Sequence, residues 1–137
     1  MQQISEFVVA EWPLFLALVV ILVLLARTYI GGAKGVRPLE ATQLMNHRDA
    51  VVVDVRTDKE YREGHILNSL HIPLGVLSNR LSELQAHKEK TLIMVCRSGA
   101  RSAQAASILK KEGFGEVLNL SGGMMAWESA SLPVSKS

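Results

Sequence analysis

From Trp12 to Ala26 the chain carries no charged residue, and this run constrains the reading of everything around it. It reads Trp-Pro-Leu-Phe-Leu-Ala-Leu-Val-Val-Ile-Leu-Val-Leu-Leu-Ala. With Phe7 to Ala10 ahead of it and Glu11 as the one interruption, it extends to about twenty residues, which as a helix would be about 30 Å long and would match the hydrocarbon core of a bilayer. A helix of a soluble core would alternate with polar residues, whereas this one is apolar all round. A cleaved signal peptide would open with basic residues, and here Glu6 and Glu11 precede the run with no Lys or Arg. Segment 1–30 is therefore read as a single transmembrane anchor. Pro13 lies near the start of the run, where a helix tolerates it best, and Trp12 and Tyr29 flank it at interfacial positions. Arg27, Lys34 and Arg37 all follow the run. The positive-inside rule then places the amino terminus outside and the remainder in the cytoplasm, on a single-pass protein of the inner (cytoplasmic) membrane. Gly31-Gly32-Ala33-Lys34-Gly35 reads as a short flexible linker, taken as 31–37.

The remainder is a domain at 38–132 with a tail at 133–137, roughly a hundred residues, enough for one core and not for two. The net charge of +2 and the lack of a dense basic tract argue against a nucleic-acid partner. A single cysteine among 137 residues excludes an internal disulfide framework and a multi-cysteine zinc site. A free thiol also fits a reducing compartment, which agrees independently with the charge asymmetry. The four histidines are scattered without metal-ligand spacing, so no metal and no cofactor are expected.

The hydrophobic pattern of the domain alternates between strands and helices. Short buried strands are expected at Ala50–Val55, Ser69–Ile72, Thr91–Val95 and Glu116–Leu120. Helices are expected at Leu39–Asn46, at Asp58–Glu63 with Thr57 or Asp58 as its cap and Gly64 as its stop, and at Ser102–Lys111. A further helix is expected from Leu74 to Leu84, on the three- and four-residue spacing of Leu74, Leu77, Leu81 and Leu84. Gly122-Gly123 opens a last short helix through Trp127. Such alternation implies an α/β domain with a mainly parallel sheet, in which ligands bind at the carboxyl ends of the strands. Cys96 follows the strand Thr91–Val95, so the chain's one thiol arrives at that edge.

The segment Cys96-Arg97-Ser98-Gly99-Ala100-Arg101-Ser102 carries the chemistry. A buried strand ends, a tight loop follows and a helix begins. Gly99 permits positive φ or a close backbone approach. Successive amides on such a turn form an anion-binding nest, and the helix start adds unpaired N–H groups and the positive end of its dipole. Arg97 and Arg101 add positive charge. Each effect favours a thiolate, and helix N-termini or cationic neighbours lower a thiol pKa from about 8.5 to roughly 3.5–7.5. The same features hold an anionic substrate, so nucleophile and anion cradle are one object and no neighbouring base is required. Taken singly, a lone cysteine after a buried strand is ordinarily an inert core residue, and arginines near a helix start are ordinarily solvated. It is their joint spacing that points to function.

The sequence at this point resembles the rhodanese-like sulfurtransferases, specifically the single-domain, membrane-anchored bacterial type. Cys96 to Ser102 resembles the family's active-site loop, Val53-Asp54-Val55-Arg56 its early strand motif, Gly64-His65-Ile66 with Ile72-Pro73 the following segment, and Leu120-Ser-Gly-Gly-Met-Met-Ala-Trp127 its carboxyl-terminal signature. The resemblance implies a central parallel sheet of about five strands with helices on both faces. It implies that Cys96 takes sulfane sulfur from a donor such as thiosulfate, becomes a persulfide, and passes the sulfur to cyanide or a thiol. Backbone amides from Arg97 to Arg101 would cradle the sulfur, with Arg101 at the family's closing arginine position and Arg97 facing substrate. Four residues separate Cys96 from Arg101. The cysteine phosphatases of this fold place five there, a loop that suits a tetrahedral phosphate, so sulfur transfer is favoured. Activity on an aryl phosphate with none on thiosulfate would reverse that preference.

Other residues are read more plainly. Asp54 and Arg56 are expected to form a structural ion pair, and His65 and His71 to be hydrogen-bonded packing residues. Trp127 is expected to pack over the core. Met124 and Met125 either line the pocket mouth or simply pack. Asn119 and Ser121 are expected to hydrogen-bond the turn before the final helix. Two functions remain open: a thiosulfate or persulfide sulfurtransferase, and a membrane-tethered persulfide carrier or adaptor that serves a membrane-protein partner with little turnover. A domain that has lost activity fits less well, because the loop keeps its nucleophile and its cations.

Overall fold

The computed structural model describes residues 1–30 and 33–136. Gly31-Gly32 of the expected linker, the last residue of the tail and the side chains of Thr28, Tyr29 and Ile30 lie outside what is described. The chain divides into two compact units, Met1–Gly32 and Ala33–Ser137.

The first unit is one helix, α1, Gln2–Ile30. It is long and apolar enough to span a membrane over Gln2–Arg27. Its Leu, Val, Ile and Phe side chains are exposed on every face, as the unbroken apolar run requires. The helix starts well before Trp12, so Pro13 sits inside it and not at its first turn. There it removes the backbone N–H that would bond to the Val9 carbonyl, a loss that membrane helices tolerate.

The second unit is an α/β domain. Its five-stranded sheet is parallel throughout, in the order β1-β5-β4-β2-β3. The strands are β1 (Lys34–Val36), β2 (Val51–Asp54), β3 (Leu70–His71), β4 (Thr91–Val95) and β5 (Glu116–Leu120). Between them lie α2 (Pro38–His47), α3 (Asp58–Glu63) and α4 (Ala100–Lys111), and α5 (Gly123–Ser129) follows β5. β1 corrects the linker reading. Lys34–Val36 pairs with Leu118–Leu120 as an edge strand, so the folded unit begins inside the span assigned to a linker. Three residues are too few to show a strand period.

The Leu74–Leu84 pattern is the second difference. Two 3₁₀ segments, Leu74–Asn79 and Leu81–His87, replace the expected α-helix. Leu74 and Leu77 are three apart, as are Leu81 and Leu84, which is the 3₁₀ period. Arg80, at φ −116° and ψ 18°, breaks the run between them. The extra residue there supplies the four-residue step that imitates an α-helix. Leu77 and Leu84 are fully buried all the same.

β4 is buried along its whole length. Its alternate residues divide between two cores, with Leu92, Met94 and Cys96 joining Leu109 and Ala105 of α4 on one face. Ile93 and Val95 join Ala41 of α2 and Trp127 of α5 on the other. The period-two alternation of the strand therefore sends the Cys96 side chain toward α4.

Candidate active site

The site gathers at the carboxyl ends of β2 and β4. β4 ends at Val95, the chain turns through Cys96–Gly99, and α4 starts at Ala100. Gly99 has φ 112°, a conformation an L side chain resists, and it lets the loop fold back on the sulfur. The Gly99 N–H donates to Cys96 Sγ at 3.0 Å. Ser102, in the first turn of α4, places its Oγ 3.2 Å from the same sulfur.

Cys96 is a free thiol, 1% exposed. Burial alone pushes its pKa up. Hydrogen bonds from the Ser102 hydroxyl and from the backbone at Ser102, Gly99 and Ser98 outweigh that effect and leave it below the ordinary thiol value. The main support for a thiolate is thus backbone and hydroxyl dipoles. The two arginines contribute differently. Arg97 is exposed on the loop and lines the cleft beside it. Arg101 does not present a free cation. Its guanidinium grips Glu60 with two bonds, at 2.7 and 2.9 Å. Ser98 and Ala100 are exposed, whereas Gly99 is half-buried and turns its amide to the sulfur.

Glu60 was not singled out in the sequence. It is the third residue of α3 and completes a capping box with Thr57, which the spacing Thr-x-x-Glu signals. Its reach to Arg101 spans 41 residues of chain and has no local signature. The Arg101 hydrogen bond is the largest influence on its carboxyl and, with Thr57, overcomes partial burial to hold its pKa at about 2.

Asp54 and Arg56 form the expected ion pair. The Arg56 Nη2 lies 2.8 Å from Asp54 Oδ2 and also donates to the Gly64 carbonyl at 2.7 Å. Tyr61 lies between His65 and His71, with ring centroids 3.7 and 4.2 Å away. His65 Nδ1 bonds the Tyr61 carbonyl at 2.7 Å and His71 Nε2 the Arg56 carbonyl at 2.8 Å, so both histidines pack and bridge backbone. Trp127 is buried and donates from Nε1 to the Pro133 carbonyl. Asn119 does more than the turn position suggested: its Nδ2 donates to the Gly99 carbonyl at 3.1 Å and its Oδ1 accepts from Ser102.

A cleft of about 230 Å³ opens beside the loop and meets it at Arg97, its other walls being Arg56, Glu60, Glu63, Gly64, Met124, Met125 and Glu128. Both methionines reach it, Met124 as a buried residue and Met125 as one 55% exposed. The start of α5 clamps the loop from behind, because Met124 N–H donates to the Cys96 carbonyl at 2.8 Å and Met125 N–H to the Arg97 carbonyl at 3.1 Å. A Cβ on Gly123 would lie 2.6 Å from the Arg97 carbonyl oxygen, so this close approach requires glycine.

A buried cysteine, with the Gly99 amide turned onto its sulfur, thus sits at the carboxyl edge of a parallel five-stranded sheet. Residues 37–130 match the rhodanese-like domain model, and the chain belongs to that family. It is 37% identical over 139 residues to the uncharacterized protein YibN of Escherichia coli K12, with 98% of this chain and 97% of that protein covered. It is 40% identical over 96 residues to the thiosulfate sulfurtransferase GlpE of Coxiella burnetii, covering 70% of this chain and 88% of that one. The crystal structure of a rhodanese-related protein from Thermoplasma volcanium superposes with a TM-score of 0.69 at 26% identity, covering 76% of this chain and 99% of that one.

Proposed function

We propose that this protein is a membrane-anchored sulfurtransferase in which Cys96 carries sulfur as a persulfide. The observation that carries the reading is the set of donors around Sγ, with Gly99 N–H at 3.0 Å and the Ser102 hydroxyl at 3.2 Å. They lower the thiol pKa against burial, and a thiolate needs no separate base to attack.

With thiosulfate as donor, the Cys96 thiolate attacks the outer sulfur and forms an S–S bond. The sulfur–sulfur bond within thiosulfate breaks, and its electron pair leaves with sulfite. The outer sulfur of the persulfide now bears the negative charge, which the loop amides receive. Cyanide or a thiolate acceptor then attacks that outer sulfur, the Cys96–sulfur bond breaks, and the thiolate is regenerated as thiocyanate or a new persulfide departs. Arg97, whose guanidinium has no ion-pair partner among the described residues, is the cation available to the sulfonate end of the donor. Ser98, Gly99, Ala100 and Arg101 complete the loop, with Arg101 fixed by Glu60. The similarity to GlpE supports thiosulfate as donor. Helix α1 anchors the chain in the cytoplasmic membrane, with the amino terminus outside and the domain in the reducing cytoplasm.

The test is mass spectrometry of the purified chain after exposure to thiosulfate. A gain of one sulfur atom on Cys96, removed by cyanide and absent in Cys96→Ser, is expected. No gain from any sulfane donor would overturn the reading. Turnover of thiosulfate and cyanide separates an enzyme from a carrier: negligible turnover beside a membrane complex that survives Cys96→Ser would favour the adaptor.

A further inference from the structure

Ser102 has one hydroxyl proton and three acceptors within reach. Its Oγ lies 3.2 Å from Cys96 Sγ, 3.1 Å from the Gly99 carbonyl and 2.5 Å from Asn119 Oδ1. Asn119 cannot reverse its amide. Its Nδ2 donates to the Gly99 carbonyl at 3.1 Å, and the reversed amide would set two oxygens against each other. The acceptor end therefore stays aimed at Ser102. Asn119 sits opposite Met94 in the sheet, two residues before the cysteine. β5 thus delivers an acceptor, and β4 a sulfur, to the same hydroxyl.

We propose that Asn119 is a positioning residue that competes with Cys96 for the Ser102 hydroxyl proton and so favours the uncharged forms of the sulfur. While Cys96 keeps its own proton, S–H donates to Ser102 Oγ, Ser102 donates to Asn119 Oδ1, and all three groups are satisfied. Once that proton leaves to solvent, Sγ can only accept. Gly99 N–H serves one lone pair at 3.0 Å. Ser102 serves another only by turning away from Asn119, whose Oδ1 then loses its donor. After sulfur uptake the inner Sγ is again a neutral divalent atom, and the hydroxyl returns to the amide. Asn119 therefore opposes the resting thiolate and assists both the thiol and the persulfide. This deepens the sulfur-transfer reading, although the competition itself belongs to thiol chemistry alone.

The charges around the site come from several elements. They are Arg97 on the loop, Arg101 of α4 held by Glu60 of α3, the paired Asp54 and Arg56 after β2, and Glu63 and Glu128 at the cleft. None of them hydrogen-bonds Ser102 or Asn119 among the described residues, so a change at position 119 leaves them in place.

The experiment titrates Cys96 in the full chain in detergent by its thiolate ultraviolet absorbance, which reads one residue because the chain has one cysteine. Asn119→Leu is expected to lower the midpoint by about half to one pH unit, a roughly three- to tenfold change in proton affinity. Ser102→Ala should raise it by a similar amount. In the Ser102→Ala background, Asn119→Leu should do nothing. An unchanged or raised midpoint in Asn119→Leu, or the same downward shift without Ser102, overturns the proposal. If the leucine variant does not fold, Asn119→Val, a strand-favouring side chain, carries the same test. Should these shifts appear in a protein that never takes up sulfur, the competition stands and the sulfurtransferase reading falls.

Discussion

β2 and β4 are neighbours in the sheet, with Asp54 opposite Val95, yet their carboxyl ends are built on opposite plans. At the end of β2 every charge is closed on a fixed partner. The Asp54 carboxylate accepts from the Arg56 backbone and guanidinium, and the guanidinium is tied again to the Gly64 carbonyl. At the end of β4 one buried sulfur has a settled donor in Gly99 and a contested one in Ser102. A locked terminus holds the edge still while its neighbour keeps hydrogen bonds that can be exchanged. Rigid charge pairing and adaptable dipoles are thus separated by one strand spacing of about 4.8 Å.

Cys96→Ser is the most severe way to break the β4 end. Sulfur uptake should fall to background with the circular dichroism of the domain unchanged, since serine fits the same space. In the wild type, uptake should rise with pH and level off below the ordinary thiol value of about 8.5, because the sulfur's own pKa is lowered. The matching break at β2 is Asp54→Asn, which leaves a buried guanidinium without its counter-charge and should cost about 3–5 kcal/mol in thermal or denaturant unfolding. A loss well under 1 kcal/mol would show that this end is no lock.

Glu60→Gln sharpens the contrast, since it loosens a pair that is only partly buried, with Arg101 36% exposed. About 1 kcal/mol or less is expected for that reason. The folded-state pKa of Glu60 is depressed to about 2, so its contribution is present above the unfolded value of 4.5 and disappears as pH falls toward about 2. The wild type should accordingly lose more stability than Glu60→Gln over that acid range. Parallel pH dependences would remove the pair from the account. The smallest effect belongs to Arg97→Gln, which should leave stability within about 0.5 kcal/mol and raise the KM for thiosulfate a few-fold, more at low salt.

Much of the domain was legible because its central strands carry buried apolar residues. Thr91–Val95, buried throughout, and Glu116–Leu120, buried at Val117, Leu118 and Leu120, have the expected boundaries. The Cys96 loop was legible because its residues are contiguous. Three things were not. β1 is three residues long and makes sense only beside β5. The two 3₁₀ segments share a spacing with an α-helix until Arg80 is seen to interrupt them. Glu60 and Asn119 act on residues 41 and 20 positions away, and sequence order carries no sign of such meetings. The same distance explains why Arg101 looked like a free cation. Its counter-charge sits on another helix.

A peptide plane has two ends, and fixing one aims the other. Because the first amides of α5 hold the carbonyl oxygens of Cys96 and Arg97, the N–H bonds of those two planes must face away from α5. The polarity of the turn after Cys96 is therefore imposed from outside it, by a helix more than twenty residues downstream. A methyl group at position 123 would collide with the Cys96 and Arg97 carbonyls, and by forcing that helix back it would let the planes rotate and turn oxygens to the side where the N–H groups now face.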